Sequence, residues 1–306
     1  MRIVSLLPSA TEIVCALGLA DVLVGVSHDC DFPPEIQGKP VLSEAIVGTA
    51  MPSGEIEERI RGAIHKGKSV YHLDDRALAR LDPDLILTQE LCAVCAPSYT
   101  LVKQAAKLLD AETRIVSLEP HGLLDVLDNI LLVGELTGTA RRAETLVDRL
   151  RGRIEAVRVR AAEAASRPRV ACLEWLEPVY VGGHWVPEMV TIAGGLDVLG
   201  RRGEPSFAVE WETVASAHPE VLALMPCGFD VGRIRAEMDL LTARPGWLDI
   251  PAVRSGRVYL TDASSYFSRP GPRLADGLEI LAAAIHPEIF DHALPIGALE
   301  RMWAGA

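Results

Sequence analysis

No apolar run in this 306-residue sequence approaches the roughly 18 residues that a membrane-spanning helix needs, so insertion into a bilayer is not expected. Positive charge is also in deficit. Thirty Lys and Arg stand against 42 Asp and Glu, a formal net charge of -12. A nucleic-acid binder ordinarily presents a basic face. Here only short clusters such as RGRIEAVRVR (151–160) occur, with Arg alternating against apolar residues at helical spacing, the pattern of a solvated helix face. Cysteine is sparse: the six, at 15, 30, 92, 95, 172 and 227, are too few for a disulfide scaffold in a chain of this size, and suit a reducing compartment. The opening MRIVSLLPSATEIVCALG does not read as a secretory leader, because Pro8 and Glu12 interrupt any hydrophobic region. Enzyme fingerprints are missing as well: there is no G-x-S-x-G, no P-loop and no dinucleotide glycine motif.

What the chain does have is 49% hydrophobic and 24% charged residues, a soluble globular balance, and length enough for two domains. RIVSLL (2–7) reads as a buried strand. Ser9 fits a helix N-cap with Glu12 closing a capping box, and Gly18 fits the stop. VLVGVS (22–27) is a second strand, followed by the irregular loop HDCDFPPE. A short helix ALARL, the strand LILT (85–88), a helix from about Ser98 to Leu109 and the strand RIVSL (114–118) complete one α/β alternation. From Leu123 to about Ala165 helix formers are nearly continuous, with Gly138 as a joint. At ~1.5 Å per residue the second piece is on the order of 40 Å long, which suits a strut between lobes. RVACLEWL (169–176) opens a second alternation. It continues through helices near Pro187 to Ala193 and Glu210 to Ser216, the strands VLALM and GRVYLTD, and a final helix near Arg273 to Ile285.

The halves echo each other. ALARLDPDLILTQELC and TVASAHPEVLALMPCG each give a short helix, a proline with an acidic residue, an apolar strand and a cysteine-bearing loop. The predicted fold class is therefore α/β: two similar Rossmann-like lobes with mainly parallel sheets, spanning 1–121 and 167–306, joined by a helical strut over 122–166, with a ligand cleft between them. The loops at strand carboxyl ends then line the cleft. They are LPSA with Pro8 and Ser9; SHDCDFP with His28, Asp29, Cys30 and Phe32; QELCAVC with Gln89, Cys92 and Cys95; EWLEPVYVGGHW with Trp175, His184 and Trp185; PCGFD with Phe229; and SSYFSRPGPR with Tyr266, Phe267 and Arg269. Three of the five Phe, two of the five Tyr, two of the five Trp and four of the six Cys fall in these loops. Aromatics on polar loops point to stacking on a ligand, the alternative being that each tucks beneath its loop.

Four blocks carry a resemblance that covers nearly the whole chain: RIVSLLPSATEIVCALGLADVLVGVSHDCDFPPE, LDPDLILTQELCAVCAPS, LEWLEPVYVGGHWVPEMVTIAGG and SYFSRPGPRLADGLEILA. In these the chain resembles the cobalamin-type (class III) substrate-binding proteins of ABC transporters, two α/β lobes joined by one rigid helix. The HDCDFP, QELCAVC and GHWVPEM segments are similar to a branch often labelled cobalamin-binding. The resemblance implies non-enzymatic, reversible capture of a corrinoid such as vitamin B12, with no catalytic cofactor and only a small hinge motion. It also implies a monomer that docks on an ABC permease dimer through one carboxylate on each lobe, for which Glu44, Glu55 and Glu204 are available. Family placement is periplasmic or extracellular, whereas the missing leader places the chain in the cytoplasm if Met1 is the native start. Haem or ferric-siderophore binding on the same fold is the alternative, as is a cytosolic corrinoid carrier. A corrin, broad, apolar and rimmed with amides, suits aromatic walls from Trp175, Trp185, Tyr266 and Phe267 and polar groups from Ser9, Asp29 and Gln89.

Single residues leave choices open. Zinc needs four ligands, and Cys92 with Cys95 supplies two, which Cys30 or His28 would have to complete. A redox pair is a second reading, and a small polarizable pocket lining is the favoured one. An enzyme using this C-x-x-C, nitrogenase-like or thiol-dependent, would carry iron or zinc stoichiometrically. His184, between Gly183 and Trp185 where the glycines let the backbone approach a ligand, reads as an axial cobalt ligand, a pocket hydrogen-bonding group or a structural loop histidine. Asp29 and Asp31 also read as turn residues. Arg269 is a candidate for a ligand amide or phosphate, while Pro272 punctuates a helix start. Glu119, His121 and Asp125 read as helix-capping charge rather than as acid–base chemistry.

Overall fold

Short, wholly apolar runs bounded by turns form parallel strands covered on both faces. The computed structural model describes residues 1–48, 51–66, 69–89, 102 and 113–302. Cys92, Cys95 and the helix expected over 98–109 lie outside them, apart from the buried, helical Val102.

The chain divides into two compact units, one of Met1–Pro120 with Leu124–Asp148, the other of His121–Leu123 with the residues from Arg149 onward. In the first, β1 (Ile3–Ser5) and β2 (Leu23–Val26), with β5 (Leu85–Thr88) and β6 (Arg114–Ser117), form a parallel sheet in the order β2-β1-β5-β6. β3 (Ser43–Ala45) and β4 (Tyr71–Leu73) pair separately and antiparallel. Val4, Leu6, Leu42, Leu73, Leu78, Ile86 and Val102 form a buried core cluster. Helix α1 (Pro8–Ala16) does not use Ser9 as its cap. Leu7 holds the extended cap position, Pro8 opens the helix with its fixed φ, and Ser9 is buried within the first turn. Gly18 does end it, at φ 73°. Helix α2 covers Ser53–His65, and α3 (Asp75–Leu81) is capped by Asp74, which accepts the Ala77 N–H at 2.8 Å.

Helices α4 (Leu123–Leu136) and α5 (Ala140–Ala161) meet at Gly138, whose φ of 70° only glycine adopts without strain. With 22 residues α5 is about 33 Å long, shorter than the sequence suggests. Beyond Ala161 the chain closes tighter turns, Glu163 N–H to Arg160 O and Ala164 N–H to Ala161 O, ahead of Pro168. The boundary between the units falls inside α5.

In the second unit β7 (Arg169–Leu176) is flanked by β8 (Val179–Val181), which pairs antiparallel with it after the Glu177-Pro178 turn. Helix α6 (Val186–Ile192), β9 (Leu196–Asp197), β10 (Phe207–Ala208), α7 (Trp211–Ser216), β11 (Val221–Leu224) and α8 (Val231–Ala236) follow. Then come β12 (Val258–Thr261), the almost wholly buried α9 (Leu274–Ile285) and β13 (Leu299–Met302). The parallel order β9-β7-β11-β12 repeats β2-β1-β5-β6 of the first unit. The repeat extends to backbone conformation: Asp82 before Pro83 and His218 before Pro219 share left-handed φ values of 41° and 44°. The second sheet is nevertheless mixed, because β8, β10 and β13 add antiparallel pairs. EWLEPVYVGGHW, expected as one loop, is largely the β7–β8 hairpin. Among the described residues no helix is long and apolar enough to cross a membrane.

Candidate functional site

In open parallel sheets ligands gather at strand carboxyl ends. Those of the first unit carry a chain of hydroxyls. Ser5 Oγ donates to Leu7 O at 3.0 Å and accepts from Thr11 Oγ1 at 2.9 Å. Cys30 Sγ lies 3.0 Å from Thr11 Oγ1 and 3.1 Å from Ser27 Oγ. Burial, then Glu35, pushes the Cys15 thiol up to about 11, so it stays protonated at neutral pH. His28 engages both ring nitrogens, Nδ1 2.8 Å from Ser43 Oγ and Nε2 3.3 Å from Asp29 Oδ2, and so staples its loop to β3. Pro8 and Ser9 sit in the first turn of α1, Gln89 is buried at the end of β5, and Phe32 is exposed beside Pro33.

In the second unit Glu174 lies within β7. A register shift between Leu173 and Trp175 in the β7–β8 pairing sets this acidic residue apart within an apolar strand. Its Oε1 accepts the Gly183 N–H at 3.1 Å. Burial raises the carboxyl to about 8, against the lowering effect of the Gly183 and Ser206 donors, so it is largely neutral at pH 7. Gly183 has no room for a side chain, since a Cβ would overlap the backbone of Pro205 and Ser206. His184 is left-handed, φ 50°. Its N–H donates to Glu204 O at 2.6 Å and its carbonyl accepts the Gly203 N–H at 2.9 Å. Burial, then His121, lowers the His184 pKa, and its Nδ1 is buried with no hydrogen-bond partner.

The expected aromatics divide into two groups. Trp185, Phe229 and Phe267 are buried under their loops; Trp185 Nε1 donates to Phe267 O at 2.9 Å, and Phe229 meets Trp175 edge-on at 5.1 Å. Trp175 and Tyr266 stay half-buried, with Arg273 5.7 Å from the Tyr266 ring. Arg269 is buried and donates to Ser264 Oγ at 3.3 Å. The geometry thus brings Trp175 together with Phe229, and His184 and Phe267 together with Trp185. Glu55 and Glu204 pair locally with Arg59 and Arg201. Among the described residues no group of three or more His, Cys, Asp or Glu is placed to hold a metal ion.

Sequence reasoning singled out neither Glu174 nor Asp197. Asp197 Oδ1 accepts Leu199 N–H and Gly200 N–H at 2.9 and 2.6 Å, and burial raises its pKa. An acidic residue inside the apolar RVACLEWL was the available signal for the first.

The family model described as periplasmic binding protein matches residues 3–265. An uncharacterised ABC transporter substrate-binding lipoprotein of Bacillus subtilis is 25% identical over 300 residues, 94% of this chain and 81% of that protein. A vitamin B12-binding protein of Vibrio cholerae is 24% identical over 287 residues, 91% of this chain and 86% of the relative. Among solved structures, a periplasmic heme-binding protein from Pseudomonas aeruginosa superposes with a TM-score of 0.73 at 22% identity, over 98% of this chain and 97% of that one, a likeness of fold alone. The chain belongs to the periplasmic binding protein family, whose members capture solutes for transport rather than transform them.

Proposed function

We propose that this chain binds a corrinoid, vitamin B12 or a close relative, as the substrate-binding component of an ABC importer. The observation that carries the reading is the half-buried Trp175 at the end of β7, backed edge-on by Phe229 and following in sequence Glu174, whose carboxyl burial keeps largely neutral. An apolar macrocycle rimmed with uncharged amides is matched by an aromatic face and neutral polar groups, and poorly by fixed charge. The vitamin B12-binding relative supports the choice of ligand, and the ABC transporter lipoprotein supports a permease partner. The expected docking carboxylates and the use of loops from both lobes belong to this same proposal. Haem is the second reading, favoured by the unengaged Nδ1 of His184 and the heme-binding fold relative.

Calorimetry with cyanocobalamin, cobinamide and haemin tests the assignment. Corrinoids bind with one ligand per chain at a Kd of about 1 µM or tighter, near -8 kcal/mol. Trp175→Ala weakens this by roughly tenfold, about 1.4 kcal/mol. Saturable heat with haemin alone transfers the assignment to haem, and heat with none of the three removes the ligand class.

A further inference from the structure

The His184 imidazole is held more firmly than a loop histidine needs to be. Its left-handed backbone is clamped by the paired 183–184 and 203–204 segments, and its ring stacks on Trp185 at 5.5 Å and 27°. Trp185 in turn is tied through Nε1 to Phe267 O. Within this rigid frame Nδ1 is buried and makes no hydrogen bond. Beside the His184 ring, 6.2 Å between ring centres and tilted by 53°, lies the exposed His121. His121 is itself positioned: the N–H of Leu123, two residues on, donates to Glu188 Oε2 at 3.1 Å, and Glu188 pairs with Arg202 at 2.6 Å.

We propose that His121 and His184 form a two-imidazole site for a divalent transition-metal ion that takes square-planar or tetragonal geometry, Cu2+ or Ni2+. Metal–nitrogen bonds of about 2 Å place an ion about 3 Å from each ring centre, so two imidazoles on opposite sides of one ion stand about 6 Å apart, whereas a tetrahedral angle brings them to about 5 Å. The observed separation of 6.2 Å fits the opposed arrangement. Imidazole suits these ions, with Cu2+ the tighter of the two. No third His, Cys, Asp or Glu completes the set among the described residues, and the proposed coordination fills its remaining positions with water or an added ligand.

The test is titration of the chelator-treated full chain with copper(II) chloride, followed by calorimetry and electron paramagnetic resonance, in the absence of corrinoid. The first equivalent of Cu2+ shows coupling to two imidazole nitrogens. His121→Gln, at an exposed position that leaves the fold intact, weakens binding by at least the ~10–100-fold that loss of an outer-shell partner costs. His184→Asn, chosen because Asn tolerates left-handed backbone, does the same, with circular dichroism confirming folding. Coupling to one nitrogen, or an unchanged first equivalent in His121→Gln, overturns the site, whatever the behaviour of His184→Asn. So does transfer of the effect to His65→Gln or His292→Gln. Because no corrinoid is present, neither result bears on the ligand proposed above.

Discussion

Glu174 sits in RVACLEWL, where the residues between Arg169 and the strand end are otherwise apolar or aromatic, and burial there governs its ionisation. Its folded pKa of about 8 lies above the ordinary 4.5. Between those values the folded chain keeps a proton that the unfolded chain has released. The group's contribution to stability therefore falls as pH rises from about 4.5, and stops falling above about 8. Glu174→Gln keeps an oxygen for the Gly183 N–H and cannot ionise. Urea unfolding at about pH 5 and about pH 8.5 is expected to show the variant gaining on wild type at the higher pH. An equal difference at both would show that Glu174 is ionised throughout. At this scale sequence reading succeeds where chemistry is local and fails where it depends on packing. Gly18 and Gly138 announce their own left-handed turns. By contrast, nothing in the letters distinguishes Trp175, half-buried, from Trp185, which packs under its loop with Phe267, since burial is decided by elements far apart in the chain. Ser9 was misplaced because Pro8 at the first helical position outcompetes a hydroxyl one residue later.

At the scale of elements, the Arg153 guanidinium ties α5 to α9. Arg153 Nε and Nη2 grip Glu279 at 2.9 and 2.7 Å, and Nη2 also reaches Asp276 at 2.7 Å, with all three side chains about one-third exposed. An isolated surface pair is worth ~0–1 kcal/mol, and bidentate geometry with a second carboxylate lifts this one to the upper end. Arg153→Met keeps the aliphatic stem but leaves two carboxylates facing each other. Its expected cost is about 1 kcal/mol, a fall of about 2–4 °C in Tm, partly restored by Glu279→Gln in the same background. Differential scanning calorimetry decides it, and an unchanged Tm would mean that solvent already satisfies these groups. Elements were the most legible level, because the helix-proline-strand phrase occurs twice and each copy folds alike, down to the left-handed Asp82 and His218. The antiparallel β8, β10 and β13 were not legible. Two- to four-residue strands have too few alternations to register, and the Glu177-Pro178 turn reads as loop.

The whole molecule carries a formal net charge of -12, which bears on what it captures. An anionic chelate approaching such a field is repelled at long range, and its binding must rest on local cations. The cations near the strand ends of the second unit are engaged: Arg269 donates to Ser264, and Arg233 lies over Phe229 at 3.9 Å. An amide-rimmed corrinoid engages neither the long-range field nor an ion pair. Its affinity is therefore expected to change less than about twofold between roughly 0.05 and 0.5 M sodium chloride, a range over which screening shortens severalfold. Ligand-linked thermal shifts read this directly, since saturation at about 100 Kd stabilises by about 2.7 kcal/mol whatever the mechanism. A cyanocobalamin shift that persists at high salt fits burial of an uncharged macrocycle against Trp175. A shift that collapses with salt would place an ion pair at the centre of recognition and favour a carboxylate-bearing tetrapyrrole over a corrin.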